Sequence, residues 1–312
     1  MRYFHPRKIL LRSIGVVAIA YISTCLLLFI RQRYLIFRPT SQFLTLPSYP
    51  DFKFPYKDER LPIANSDEYI HGWWVQAASA QEKLFAIPNE PVRILKSPKV
   101  ILYFCGAAGN KGYYNHVARL QGMRQLGFSV LVIDYRGFGS SQGNFPSESQ
   151  LYQDSQIAWD YLVKIRRIPP EQIIIYGESL GGAIALDLAT KQPKANALIM
   201  QSSFTSMAEE VKHRDWLWMF PVDLLLTQKF DSISKVRSLH IPVLFIHGTT
   251  DNVVPSYMSQ QLYDAAPEPK QLLLIPKAGH FQIYQPGRNS YLQTIQKFIE
   301  KVESRQKMES EK

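Results

Sequence analysis

The chain has 312 residues, 46 % of them apolar, with 36 Lys and Arg against 26 Asp and Glu and only two cysteines. That apolar content supplies a full core and excludes a disordered or collagen-like chain, and two cysteines exclude a disulfide framework or a Cys-rich zinc site. The net charge of +10 is concentrated: residues 1–40 hold Arg2, Arg7, Lys8, Arg12, Arg31, Arg33 and Arg38 and no acid. The remainder shows no basic stripe of the kind that nucleic acid requires, so no nucleic-acid partner is expected.

Ser13 to Ile30 is an unbroken run without a charge, and Ile9–Leu11 extends it across Arg12. About 20 apolar residues cross the hydrocarbon layer as a helix. Bases flank both ends, and Tyr34 and Phe37 suit the interface. A cleaved signal peptide usually has a shorter apolar region and a small-x-small cleavage site, and neither is present. The expectation is an uncleaved single-pass anchor over residues 1–38, with its span at about 9–30 and the lipid bilayer as its partner. Four bases precede the span and three follow. The positive-inside bias therefore leans only slightly towards a cytoplasmic N-terminus with the folded domain on the opposite side.

Residues 39–60 are rich in proline and aromatics and read as a stalk packed on the domain. Residues 61–302 read as one catalytic domain. Short strand-like pieces fill 61–95, among them Tyr69–Val75. Apolar runs then follow at Val100–Phe104, Val130–Asp134, Ile173–Tyr176, Leu198–Gln201, Val243–Ile246 and Leu272–Ile275. Helical patterns alternate with them at 113–126, 149–166, 180–192, 203–212, 256–265 and 291–302. That alternation predicts an α/β fold, a mostly parallel twisted sheet with helices on both faces. Residues 213–237 interrupt it with Trp216, Leu217, Trp218, Met219 and Phe220. They read either as buried helices or as a small helical cap whose Trp216, Trp218 and Phe220 line an acyl-binding cleft. The charged residues 303–312 read as a frayed tail.

The sharpest local signal is Gly177-Glu178-Ser179-Leu180-Gly181-Gly182, which directly follows one strand and opens the next helix. A serine hydroxyl is a poor nucleophile until a sharp strand-to-helix turn holds it in the open beside a base. Asp251, in His247-Gly248-Thr249-Thr250-Asp251, follows the next-but-one strand. His280, in Ala278-Gly279-His280, follows the strand after that. All three lie beyond carboxyl ends of parallel strands, where sites of open sheets form, and in the order Ser, Asp, His. Ser179 is thus the expected nucleophile, His280 the base and Asp251 its orienting acid. The amides of Leu180 and Ala107, the latter in the loop after the first parallel strand, are the expected oxyanion hole. His247 reads as packing, and Asp134 as a turn residue held by backbone amides. Cys105 reads as a buried thiol. No metal-ligand spacing occurs, and no cofactor is expected, because such a triad needs only water as second substrate.

The segments FCGAAGN (104–110), DYRGFGSSQG (134–143), GESLGG (177–182), SSFTSM (202–207), HGTTDNVVP (247–255) and AGH (278–280) together resemble the α/β-hydrolase superfamily. They are most similar to its membrane-anchored α/β-hydrolase-domain branch, which includes lysophospholipid lipases and protein depalmitoylases. The resemblance implies the same three catalytic residues, Ser179, Asp251 and His280. The branch usually carries His-Gly where this chain has Cys105-Gly106, a departure within the oxyanion loop. The resulting expectation is a membrane-anchored serine hydrolase cleaving carboxylic esters or thioesters of an acylated small molecule, lipid or protein. A peptidase or amidase on the same triad and a non-catalytic scaffold are the alternatives.

Overall fold

The computed structural model describes residues 6–79, 99–213, 216–284 and 288–310. Helix α1 (Pro6–Ile36) is unbroken over 31 residues. It runs past the expected end at 30 because Arg31, Gln32, Arg33 and Leu35 are good helix formers, and it stops where Pro39 disfavours helix at the residue before it. Its apolar side chains face outward, with Leu11, Val16, Val17 and Ile22 all largely exposed. Near its end the surroundings change: Gln32 and Phe37 are buried against the folded domain.

The expected stalk is part of the domain. Strand β1 (Arg38–Pro39) pairs with a loop strand described below, Phe52 and Phe54 are buried, and β2 (Lys57–Pro62) already belongs to the main sheet. Next come β3 (Tyr69–Val75), β4 (Lys99–Phe104), the short β5 (Ala108–Gly109), α2 (Tyr114–Leu126) and β6 (Phe128–Ile133). The part of the 61–95 stretch beyond residue 79 lies outside the described residues. After these follow α3 (Glu148–Asp160), β7 (Ile173–Glu178), α4 (Leu180–Lys191), β8 (Ala197–Gln201) and α5 (Met207–His213). The cap segment holds a helical turn at Leu217–Met219, then α6 (Val222–Leu225) and α7 (Ser232–Lys235). The chain closes with β9 (Val243–Gly248), α8 (Ser256–Ala265), β10 (Lys270–Ile275) and α9 (Arg288–Ser310).

Among the described residues, eight strands form one sheet in the order β10-β9-β8-β7-β4-β6-β3-β2. All neighbours from β10 to β6 are parallel, whereas β3 and β2 are antiparallel at one edge. Parallel strands are covered on both faces and so read as continuous apolar runs. Alternate residues serve opposite faces. Leu102, Ile175 and Phe245 pack with Ile184 of α4 and Leu262 of α8, while Ile101, Ile174 and Leu244 pack with Leu120 of α2 and Ile295 of α9.

The carboxyl-terminal residues differ from expectation. Helix α9 continues through Ser310, and Glu303 on it reaches the buried Lys99 at the start of β4 at 3.6 Å.

Candidate active site

Ser179 stands between β7 and α4 with φ 53° and ψ −122°, a conformation that L-residues adopt only where the surroundings impose it. Close backbone approach imposes it here. A Cβ on Gly177 would lie 2.0 Å from the Gly181 carbonyl oxygen, and one on Gly181 would lie 2.2 Å from that of Phe104. The turn is further tied by the Ser179 amide donating to the Gln201 carbonyl at 2.8 Å and by Ser203 Oγ donating to the Ser179 carbonyl at 2.9 Å.

Asp251 and His280 meet at 2.7 Å between Oδ2 and Nδ1. The same carboxylate accepts from the Val253 and Val254 amides at 2.9 and 2.8 Å through Oδ1. Burial alone would raise this carboxyl, but hydrogen bonds from His247, His280 and the Val254 amide hold it well below the usual range. Asp251 is therefore a fixed anion. It keeps the proton of neutral His280 on Nδ1 and leaves Nε2 as the basic nitrogen.

His247 does more than pack. Its Nε2 lies 2.8 Å from the Val254 carbonyl oxygen and 3.2 Å from Asp251 Oδ2, both acceptors, so that nitrogen carries the proton. Its Nδ1 lies 2.7 Å from Ser259 Oγ. This buried ring fixes the loop that presents Asp251.

Ser179 and His280 open onto one cavity of about 860 Å³, together with Leu180, Gly106 and Ala107. Among the described residues no hydrogen bond joins Ser179 to His280. The Ala107 loop approaches the nucleophile closely: a Cβ on Gly106 would sit 3.5 Å from Ser179 Cβ. Three contacts brace this loop. The Arg38 amide donates to the Ala107 carbonyl at 2.9 Å, β1 pairs in parallel with β5, and the Lys111 amide donates to Asp134 Oδ1 at 2.8 Å. The fully buried Lys111 ammonium also contacts Asp134 Oδ2. Asp134 is thus held by one backbone amide and a buried cation, not by amides alone.

Behind the nucleophile lies a charge cluster that the sequence reading missed. Glu178 contacts both Arg119 and His116. Burial would raise its carboxyl, yet these two cations hold it at about 2. Burial would lower His116, but neighbouring Cys105 and Glu178 push it up to about 10. Cys105 is itself buried, and burial pushes its thiol up, so it is no nucleophile. Both partners of Glu178 come from α2, two strands earlier in the chain, so only its place beside Ser179 was visible locally.

The cleft assignments divide. Trp216 and Phe220 line the cavity. Trp218 does not: it is 66 % exposed and points away. In this short helical turn Leu217 and Phe220, three residues apart, share a side, so Leu217 occupies the wall instead. An unanticipated wall comes from α1, which contributes Leu28, Gln32, Leu35 and Ile36. Among the described residues no cluster of three metal-ligating side chains occurs.

Comparison with known proteins agrees with this architecture. Residues 96–233 match a family model described as serine aminopeptidase S33. An uncharacterized Mycobacterium tuberculosis protein is 40 % identical over 185 residues, which is 59 % of this chain and 63 % of that protein. The chain thus spans less than two thirds of that relative's length. The uncharacterized protein YfhR of Salmonella typhimurium is 30 % identical over 81 % of this chain and 86 % of its own. The lysophosphatidylserine lipase ABHD12 of Danio rerio is 32 % identical over 56 % of this chain and 49 % of its own. Among solved structures, a Pyrococcus furiosus esterase superposes with a TM-score of 0.64 at 15 % identity, over 85 % of this chain and 98 % of the esterase, and shares the fold. With an eight-stranded sheet, a serine elbow at the end of its central strand and these relatives, the chain belongs to the α/β-hydrolase superfamily, in its α/β-hydrolase-domain branch.

Proposed function

We propose that the chain is a membrane-anchored serine hydrolase that cleaves carboxylic esters or thioesters through Ser179, His280 and Asp251. The observation that carries this reading is the strained Ser179 facing a cavity shared with His280, whose Nδ1 is held 2.7 Å from Asp251. In the first step His280 Nε2 removes the Ser179 hydroxyl proton as Oγ attacks the substrate carbonyl. The oxyanion receives the amides of Leu180, at the amino end of α4, and Ala107. Collapse transfers the His280 proton to the leaving alkoxide or thiolate and leaves an acyl-Ser179. Water, deprotonated by the same nitrogen, then attacks the acyl carbon and frees the acid.

Ester cleavage is favoured over aminopeptidase action by the state of Glu178. An aminopeptidase needs a free carboxylate near the nucleophile for the substrate's amine. Here both Glu178 oxygens are already engaged, one by His116 and one by Arg119. The zebrafish relative's name as a lysophosphatidylserine lipase supports the same preference, as does the apolar cap wall.

The deciding measurement is fluorophosphonate labelling of membranes carrying wild-type protein or Ser179→Ala, followed by a panel of acyl esters, thioesters and aminoacyl amides. Labelling and ester turnover should both vanish in the variant. A folded, membrane-inserted wild type that neither labels nor turns over would leave the scaffold reading. Turnover of amides alone would make it a peptidase.

A further inference from the structure

The helix that reads as the membrane span does not merely precede the folded domain; its second half touches the cap at several points. Tyr21 stacks on Phe220 with ring centroids 5.3 Å apart, and its hydroxyl donates to the Met219 carbonyl at 3.0 Å. Further along the helix, Gln32 clasps the other end of the cap. Its Nε2 donates to the Leu225 carbonyl at 3.1 Å, and its Oε1 accepts from the Thr227 amide at 2.7 Å and from Thr227 Oγ1 at 3.0 Å. Around these fastenings, Leu28, Leu35 and Ile36 of α1 face Leu217, Phe220, Val222 and Leu225 across the cavity that holds Ser179.

The depth of these contacts sets where the cap must sit. Tyr21 lies near the middle of the uncharged run from Ser13 to Ile30, and its distance to the helix end at Ile36 is about 22 Å of rise. The hydrocarbon layer is about 30 Å thick. A cap fastened to Tyr21 therefore extends about to mid-bilayer when α1 spans the membrane. The cap's outer surface fits that place. Trp218, Met219 and Leu224 are 66, 51 and 84 % exposed, and Asp223 is paired with Lys212 at 2.9 Å.

We propose that the cap is embedded beside α1 in one leaflet, and that the cavity admits the acyl chain of a bilayer-resident lipid ester laterally, between span and cap. The inference rests on the hydrolase reading of Ser179 and narrows its substrate class to acyl lipids that never leave the membrane. The acyl chain lies against the α1 and cap side chains. The leaving group lies towards the polar wall formed by Asn115, His116, Arg119 and Gln201.

Two measurements test it on the full chain in phosphatidylcholine vesicles. In a Cys25→Ser background, Leu224→Cys carrying an environment-sensitive fluorophore should be quenched by lipids brominated in mid-chain and protected from aqueous iodide. Quenching by iodide alone would overturn the embedding, and this readout needs no catalysis. Leu224→Glu should lower the ratio of vesicle-resident palmitoyl ester to water-soluble acetyl ester hydrolysis by about tenfold, since a charge in the bilayer is costly. An unchanged ratio in an enzyme that labels with fluorophosphonate would refute lateral entry while leaving the hydrolase reading intact. A wild type that neither labels nor hydrolyses the acetyl ester would instead refute the hydrolase reading.

Discussion

At the scale of single residues, Asp251 acts through what it holds. Its carboxylate receives His280 and His247 on Oδ2 and two backbone amides on Oδ1, so replacing Oδ2 by an amide group keeps the shape but turns the acceptor shared by both histidines into a donor. Asp251→Asn should therefore lower kcat by about 10⁴ with little change in KM, because His280 is left in the wrong tautomer. Steady-state kinetics on an acetyl ester, with circular dichroism to verify folding, checks this. The Glu178 cluster instead governs stability against pH. Glu178 is held at about 2 against an ordinary 4.5, so its contribution is present above 4.5 and is lost as pH falls towards 2. His116 is raised from 6.5 to about 10, so its contribution is full below 6.5 and is lost as pH rises through 10. The thermal midpoint should fall at both extremes. Glu178→Gln should make both limbs shallower, Cys105 still contributing to the alkaline limb through His116 and Asp251 to the acid limb. Melting curves from pH 3 to 10 on the two proteins decide it.

At the scale of elements, the loop that carries Ala107, the proposed oxyanion loop, is fixed from outside itself. Lys111 is completely buried and its one carboxylate partner, Asp134, is nearly so. Lys111→Met keeps the stem and removes the charge, leaving a buried anion unpaired. It should destabilise the fold by about 3–5 kcal/mol, read by denaturant unfolding. The same scale separates what was legible in the sequence from what was not. The elbow was legible because its requirements are local: an apolar strand, glycines on both sides of Ser179 and a helix-forming run, all contiguous in the chain. Asp251 and His280 were legible because parallel strands deliver their carboxyl ends to one edge. Lys111 was silent, since nothing in AAGNKG marks a lysine that will be buried under Phe43 and Trp73. Trp218 misled because in a turn of three residues per revolution positions three apart, Leu217 and Phe220, share a side, which turns Trp218 elsewhere. The charged tail misled because Glu303 finds its counterpart, Lys99, at the far end of the catalytic domain's sequence.

At the scale of the whole molecule, the excess positive charge and the long apolar helix share one amino-terminal segment, and the sequence presents that segment as an appendage. The folded chain does not treat it so. Gln32 was unreadable as a structural residue because its cap partners, Leu225 and Thr227, are remote in sequence. Its buried amide oxygen is satisfied only when helix and cap are both in place, so the cavity wall is completed by this amino-terminal helix. Leu35 and Ile36, which composition alone assigns to the anchor, form part of the cavity wall.

Helix α1 ends at Ile36, and the Arg38 amide is already bonded to the carbonyl of Ala107. So short a junction leaves no swivel between α1 and the loop that carries Ala107. With α1 seated in a bilayer, the mouth of the cavity keeps one bearing towards that bilayer and cannot turn to a facing membrane or reach into the surrounding fluid. Such a molecule patrols only the sheet in which it is planted. Under the proposed lateral entry, substrates arrive by diffusion in two dimensions, and their supply follows lipid composition rather than bulk concentration.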